Sequence, residues 1–232
     1  MGLACEGCPV RDRAACSVLD HDERASLARA GRMRRLKRGE LLFAAGDEDA
    51  ACATLISGAL KVASIDEEGT ERILALVHPA GFIGELFAPF AHHDVVALSD
   101  SELCVFPRSE MGKAVELHPK LAQALLRRSQ EDLHQSRDLL ALSGRRSASE
   151  KVGAMLMGLA EAASDSPCHP ARRFELPMTR GEIAGMLGLT IETVSRAITR
   201  FERDGVIRRM GARGIELVDP ARLGLSTEGR VA

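Results

Sequence analysis

The 232-residue chain has no apolar run long enough to span a bilayer, and no apolar core of a secretion signal follows its first residues. Both absences point to the cytoplasm and away from a membrane partner. No internal repeat or low-complexity tract occurs. The net charge is only −2, a sum that does not by itself suggest nucleic acid. Apolar residues make up 45% and charged residues 28%, values that exclude wholesale disorder and leave room for two small domains. Six cysteines are present but unevenly placed, which argues for a local site rather than a disulfide-stapled scaffold.

What is present is concentrated at the two ends. Cys5, Cys8 and Cys16 form a C-x2-C-x7-C pattern inside a cysteine segment that occupies residues 1–20. Thiols so close together in a chain without a secretion signal point to soft-metal ligation rather than to disulfides. At the other end, nine arginines between Ala171 and Arg213 face five acids, a local excess of four positive charges inside a neutral protein. That is the electrostatic footprint of phosphate binding.

Between the ends the hydrophobic period changes twice. A short helical pattern runs from about Asp22 to Ala30. Short β-rich runs follow at 41–43, 54–56, 60–65, 73–77, 82–83, 95–98 and 103–106, punctuated by glycines, and they predict an all-β sandwich or barrel over residues 21–107. Asp66-Glu67-Glu68-Gly69 reads as a hairpin loop. A helical stripe through Leu117, Leu121, Leu125, Leu133 and Leu140 predicts one long helix within 108–143, and a helix of that length favours pairing with a second copy of the chain. Gly144-Arg145-Arg146 marks a joint, and residues 144–232 open with an amphipathic helix over 147–163, followed by a loop containing Pro167 and Pro170.

The last module is the most specific. Thr179-Arg180-Gly181-Glu182 is a capping box that starts a helix ending near Leu187. Gly188-Leu189 makes the turn, and Thr190 caps a second helix that runs to about Asp204, so the pair forms a helix-turn-helix. Ile191, Val194, Ile198 and Phe201 fall on one stripe of that helix, while Glu192, Ser195, Arg196, Thr199 and Arg203 fall on the other side. Arg suits guanine, Glu accepts from cytosine and Ser serves either role, so Glu192, Ser195 and Arg196 are the candidate base contacts to double-stranded DNA. Two alternating segments around Gly211-Ala212-Arg213 read as a two-stranded wing. Thr179, Arg180, Thr190, Arg200 and the wing-tip Arg213 are the candidate phosphate contacts.

A β-roll, a long helix and a winged helix-turn-helix in this order resemble the Crp/Fnr family of bacterial transcription regulators over nearly the whole chain. The run Glu192-Thr193-Val194-Ser195-Arg196 resembles its Fnr branch. The resemblance implies an α+β chain with an N-terminal β-roll of the cyclic-nucleotide-binding, jelly-roll kind, a dimerisation helix and a C-terminal DNA-binding domain. It also implies an activator that works as a homodimer with RNA polymerase and reads TTGAT-type half-sites through Glu192, Ser195 and Arg196. Relatives that sense oxygen place a fourth cysteine at the end of the β-roll, where this chain has Cys104, so the resemblance assigns a [4Fe–4S] cluster to Cys5, Cys8, Cys16 and Cys104.

Spacing alone does not separate that cluster from zinc, and haem or plain thiol redox stay open as inputs on the same fold. A cyclic nucleotide is disfavoured. Gly84-Glu85-Leu86 resembles part of the nucleotide pocket, but where relatives that bind cyclic AMP carry Arg-Ser this chain has His92-His93-Asp94-Val95-Val96. An aspartate repels the phosphate that an arginine would hold. A metalloenzyme of the cupin kind would need histidines and carboxylates converging from strands, and Glu85 with loop histidines is no such set, so the chain reads as a regulator and not an enzyme. Cys52 and Cys168 read as structural or incidental.

Overall fold

The computed structural model describes residues 5–48, 50–144, 147–164, 166 and 168–225. The chain falls into two compact units, Met1–Ser136 and Arg137–Ala232. The predicted joint at 144–146 lies largely outside the described residues, as does Pro167.

In the first unit, 3-10 turns at Cys5–Gly7 and Ala15–Val18 precede α1 (His21–Ala30). A capping box starts α1: the Asp20 carboxylate accepts from the Glu23 amide at 2.9 Å, and the Glu23 carboxylate accepts from the Asp20 amide at 2.8 Å. Eight strands follow: β1 (Arg32–Leu36), β2 (Leu41–Phe43), β3 (Cys52–Ser57), β4 (Leu60–Ile65), β5 (Glu71–Val77), β6 (Phe82–Ile83), β7 (Asp94–Ala97) and β8 (Ser101–Phe106). They form two antiparallel four-stranded sheets, ordered β1-β8-β3-β6 and β2-β7-β4-β5. Leu36, Leu55, Leu103 and Val105 of the first sheet and Phe43, Leu60 and Val95 of the second are buried in one core, so the sheets pack face to face as a β-roll. The sequence missed β1, whose Arg-Met-Arg-Arg-Leu reads as polar. It is an edge strand, where charge protects unpaired backbone.

One long helix was expected after the β-roll, and the chain makes two, α2 (Arg108–Leu117) and α3 (Pro119–Ser143). Pro119 is the reason. It has no amide hydrogen, and its ring drives the preceding residue out of helical backbone, so His118 sits at φ −126° and ψ 84°. α3, with 25 residues, is the long helix of the fold.

The second unit contains α4 (Ala148–Ala162), β9 (Arg173–Glu175), α5 (Arg180–Leu187), α6 (Ile191–Arg203), β10 (Ile207–Met210), β11 (Gly214–Leu217) and α7 (Pro220–Leu225). Val152, Leu156, Ile183, Leu187, Ile198, Phe201 and Ile215 are buried in it. The wing expected as two strands is a three-stranded sheet, ordered β10-β11-β9. β9 is too short to have shown a period.

Gly58, between β3 and β4, has φ +92°, and a Cβ there would lie 2.2 Å from Ser101 Oγ and 2.5 Å from the Asp100 carbonyl. Gly58→Ala combines left-handed strain with a backbone clash. It is expected to destabilise the β-roll by about 2 kcal/mol or more, read as a lower urea midpoint.

Candidate cysteine cavity and nucleic-acid interface

The alternation of β8 decides where Cys104 points. Leu103 and Val105 face the core between the sheets, so Cys104 and Phe106 face outward. Cys104 pairs in register with Met33 of β1 and Thr54 of β3. The N-terminal segment packs on that outer face: Val10, Ala14, Ile56 and Ala80 form a buried cluster against which Cys8, Cys16, Met33 and Cys104 lie.

All four predicted cysteines therefore line one cavity of about 340 Å³. Apolar residues make most of its wall, Leu121 and Leu125 of α3 among them, and Arg24 of α1 also lines it. Burial, together with Cys8, Cys5 and Cys16 as neighbours, pushes the Cys104 thiol up to about 12. Burial and the nearby thiols also push Cys5 and Cys16 up, while Arg24 pulls both back. Thiols whose proton affinity is raised by burial and by one another, as those of Cys5, Cys16 and Cys104 are, belong to a donor set suited to a positive centre. They line a wall rather than converge: among the described residues no three Cys, His, Asp or Glu side chains are arranged to hold a metal ion.

Arginines hold the segment from outside. Arg24 donates to the Leu19 carbonyl at 2.5 Å and to the Cys16 carbonyl at 3.4 Å, and Arg128 donates to the Arg13 carbonyl at 2.5 Å. No sequence pattern announced either contact. Cys52 is fully buried on β3 and Cys168 is exposed; neither lines the cavity.

A second cavity of about 150 Å³ opens in the β-roll, lined by Glu85, His93, Asp132, Gln135 and apolar residues. Among the described residues, no arginine or lysine lines it. The Glu85 carboxylate accepts from the His92 amide at 3.1 Å and meets the His92 ring nitrogen, while Asp94 accepts from the Ala45 amide at 2.7 Å.

In the second unit the helix-turn-helix begins at the predicted capping box. Thr179 Oγ1 accepts from the Glu182 amide at 3.2 Å, and the Glu182 carboxylate accepts from the Thr179 amide at 2.7 Å. Gly188 ends α5 in left-handed backbone, φ 62° and ψ 42°. Thr190 caps α6 by accepting from the Thr193 amide at 3.2 Å. Val194, Ala197, Ile198 and Phe201 form the buried stripe of α6. Ile191, expected on that stripe, is the first residue of α6 and is 53% exposed.

Glu192 and Arg196 are exposed and Ser195 half-buried, all in the first half of α6. The Glu192 carboxyl is held below the ordinary range by its own amide and the Thr190 hydroxyl, with Arg196 adding to the effect, so it is an anionic acceptor at neutral pH. Thr179 and Thr190 spend their hydroxyls on helix caps, and Arg200 pairs with Asp204 at 3.6 Å. Arg180 starts α5, and Arg213 stands in the β10–β11 turn, where its carbonyl accepts from the Leu176 amide at 2.9 Å.

Glu216, unremarked in the sequence, organises the wing. It lies on the central strand, buried, opposite Arg173 and Arg208 in register, and it pairs with Arg173 and Arg208 at 3.0 Å each. Arg172 stands 3.9 Å away. One carboxylate thus fixes three strands through cations that carry their surplus charge outward.

A DNA-binding regulator is the class that this fold and interface define. Residues 150–225 match the Crp-like helix-turn-helix domain and residues 33–118 the cyclic nucleotide-binding domain. The chain is 32% identical to the transcriptional activator protein FnrL of Cereibacter sphaeroides, covering 94% of this chain and 90% of that protein. It is 34% identical to the nitrogen fixation regulation protein FixK of Bradyrhizobium diazoefficiens, over 96% and 93% of the two chains. The structure of FixK2 from Bradyrhizobium japonicum superposes with a TM-score of 0.77 at 25% identity, covering 86% of this chain and 98% of that one. The chain belongs to the Crp/Fnr family of DNA-binding transcription regulators, on its Fnr branch, a family of regulators and activators rather than enzymes.

Hydrogen bonding from Arg173, followed by the charges of Arg173, Arg208 and Arg172, holds the Glu216 carboxyl below the ordinary range. A lowered folded-state value means that its stabilisation is complete above the unfolded value and fades as pH falls through the folded one. Glu216→Gln is expected to lower the melting temperature by a few degrees at about pH 7 and by progressively less towards about pH 3, in thermal scans against the wild type.

Proposed function

We propose that this regulator responds to oxygen through a [4Fe–4S] cluster held by Cys5, Cys8, Cys16 and Cys104. The observation that carries the reading is that cysteines far apart in the chain, three in the N-terminal segment and one on β8, line the same apolar-walled cavity. The cavity's volume leaves room for a body larger than one ion, and the resemblance to the Fnr branch favours a cluster over zinc. When bound, such a cluster supplies an oxygen-labile centre that ties the N-terminal segment to the β-roll. A cyclic nucleotide is not the effector in this reading. The second cavity offers its phosphate two carboxylates and no cation, and His92 already occupies Glu85.

The protein's residues couple that site to DNA. α3 turns Leu121 and Leu125 towards the cysteines, while Leu126, Leu133 and Leu140 recur every seven residues on another face, 62%, 50% and 74% exposed. That stripe suits a second copy of the same helix. The homodimer places two copies of α6 on palindromic DNA in the cytoplasm, where Glu192, Ser195 and Arg196 read TTGAT-type half-sites and Thr179, Arg180, Thr190, Arg200 and Arg213 meet phosphates. RNA polymerase is the further partner of an activator bound there. Losing the tie weakens the dimer, and two weak half-site contacts replace one bivalent grip.

Cys104→Ser is expected to abolish the visible charge-transfer absorbance of the anaerobic protein and its oxygen-dependent DNA affinity, while Cys168→Ser changes neither. Wild-type-like spectra in the Cys104 variant would reject the assignment. Arg196→Ala should cost about 1–3 kcal/mol of binding to a TTGAT palindrome and relax base preference at one position, read by fluorescence anisotropy on single-base variants. An unchanged preference would remove Arg196 from base reading.

A further inference from the structure

α3 carries a single row of residues that face its own domain. Leu121 and Leu125 reach the cysteine cavity, and Asp132 and Gln135 reach the second cavity. At about 100° per residue, positions 121, 125, 128, 132 and 135 stay within about 40° of one line. Leu126, Leu133 and Leu140 lie roughly 120° round from it. Arg128 stands at the centre of the inward row.

The Arg128 guanidinium donates to the main-chain carbonyl of Arg13 at 2.5 Å and pairs with Glu131 at 2.9 Å. Arg13 lies in the seven-residue span between Cys8 and Cys16, three residues before the latter, and its neighbours Val10 and Ala14 are buried. This contact joins α3 directly to that span. A cationic donor on a neutral carbonyl is also stronger than an ordinary hydrogen bond.

We propose that Arg128 is the strap that transmits the state of the cysteine span to α3, a positioning residue acting between the sensing site and the dimer face. The inference rests on the reading of the cysteines as the sensing site, and it names the contact through which their state travels. When the span is held, its Arg13 carbonyl stays in reach and pins the first half of α3 against the β-roll. When Cys8 or Cys16 is released, the carbonyl moves and α3 loses that anchor. A merely structural role for Arg128 would stabilise the unit without making α3 respond to the cysteines.

The test follows amide hydrogen exchange of α3 over residues 121–135 in the full chain. Anaerobically prepared protein is compared before and after oxygen exposure, and separately before and after alkylation of the thiols with N-ethylmaleimide. Iron and acid-labile sulfide are assayed in each sample. In the wild type both treatments are expected to speed exchange about tenfold, the effect of losing one hydrogen bond to a charged group. Arg128→Gln should load as much iron and sulfide as the wild type, start at the faster rate and respond to neither treatment. Arg128→Lys, which keeps a cationic donor, should restore part of the response.

Should Arg128→Gln respond as the wild type does, the strap is overturned while the sensing site stands. A wild-type α3 indifferent to both treatments also overturns it. Should the wild type hold no iron or sulfide yet show Arg128-dependent loosening on alkylation, the strap stands and the iron–sulfur reading falls. If Arg128→Gln does not fold, the Lys variant decides: a partial response supports the strap, and a full wild-type response or none overturns it.

Discussion

Everything in the first unit depends on the two-residue period of β8. Leu103 and Val105 must enter the core between the sheets, so the residues between and after them have to leave it. That constraint fixes Cys104 on the outer face of the sheet, beside Met33 and Thr54 on its neighbours, at the place where the N-terminal segment packs. A register slip of one residue would bury Cys104 in the core and carry Leu103 out to the cavity. The position of the Cys104 sulfur is therefore set by hydrophobic burial.

The same economy governs α3. Pro119 separates it from α2, so α3 has its own direction instead of continuing the helix that follows the β-roll. Its inward row meets the cysteine cavity and the second cavity in turn, and its leucine stripe faces elsewhere. A helix with two such faces can answer to its own domain on one side and to a second chain on the other. In the second unit the division is between core and interface on α6, where Val194, Ala197, Ile198 and Phe201 hold the helix and Glu192, Ser195 and Arg196 remain available.

Sequence periodicity made seven of the eight β-roll strands, α1, α4 and the helix-turn-helix legible, because each buries one face between recognisable turns or caps. The capping boxes at Asp20 and Thr179 and the left-handed Gly188 show why boundaries were clearest there. What escaped was structure decided by tertiary context. β1 is a charged edge strand, β9 is three residues long, and α7 is a single short helix. The proline that divides α2 from α3 was visible but outweighed by the leucine stripe running through it. Within the sites, the cysteines and the polar face of α6 could be named in advance. Arg24, Arg128 and Glu216 could not: Arg24 acts on main-chain carbonyls, which carry no sequence signal, and Arg128 meets a carbonyl 115 positions distant, while Glu216 pairs with Arg173 from another strand.

The proposed cluster requires four thiols around an inorganic centre larger than a single ion. It is tested by the iron, acid-labile sulfide and zinc content of the wild-type chain purified and kept without oxygen. About four iron and four sulfide per chain are expected, with no stoichiometric zinc. One zinc per chain with no sulfide would rule the cluster out.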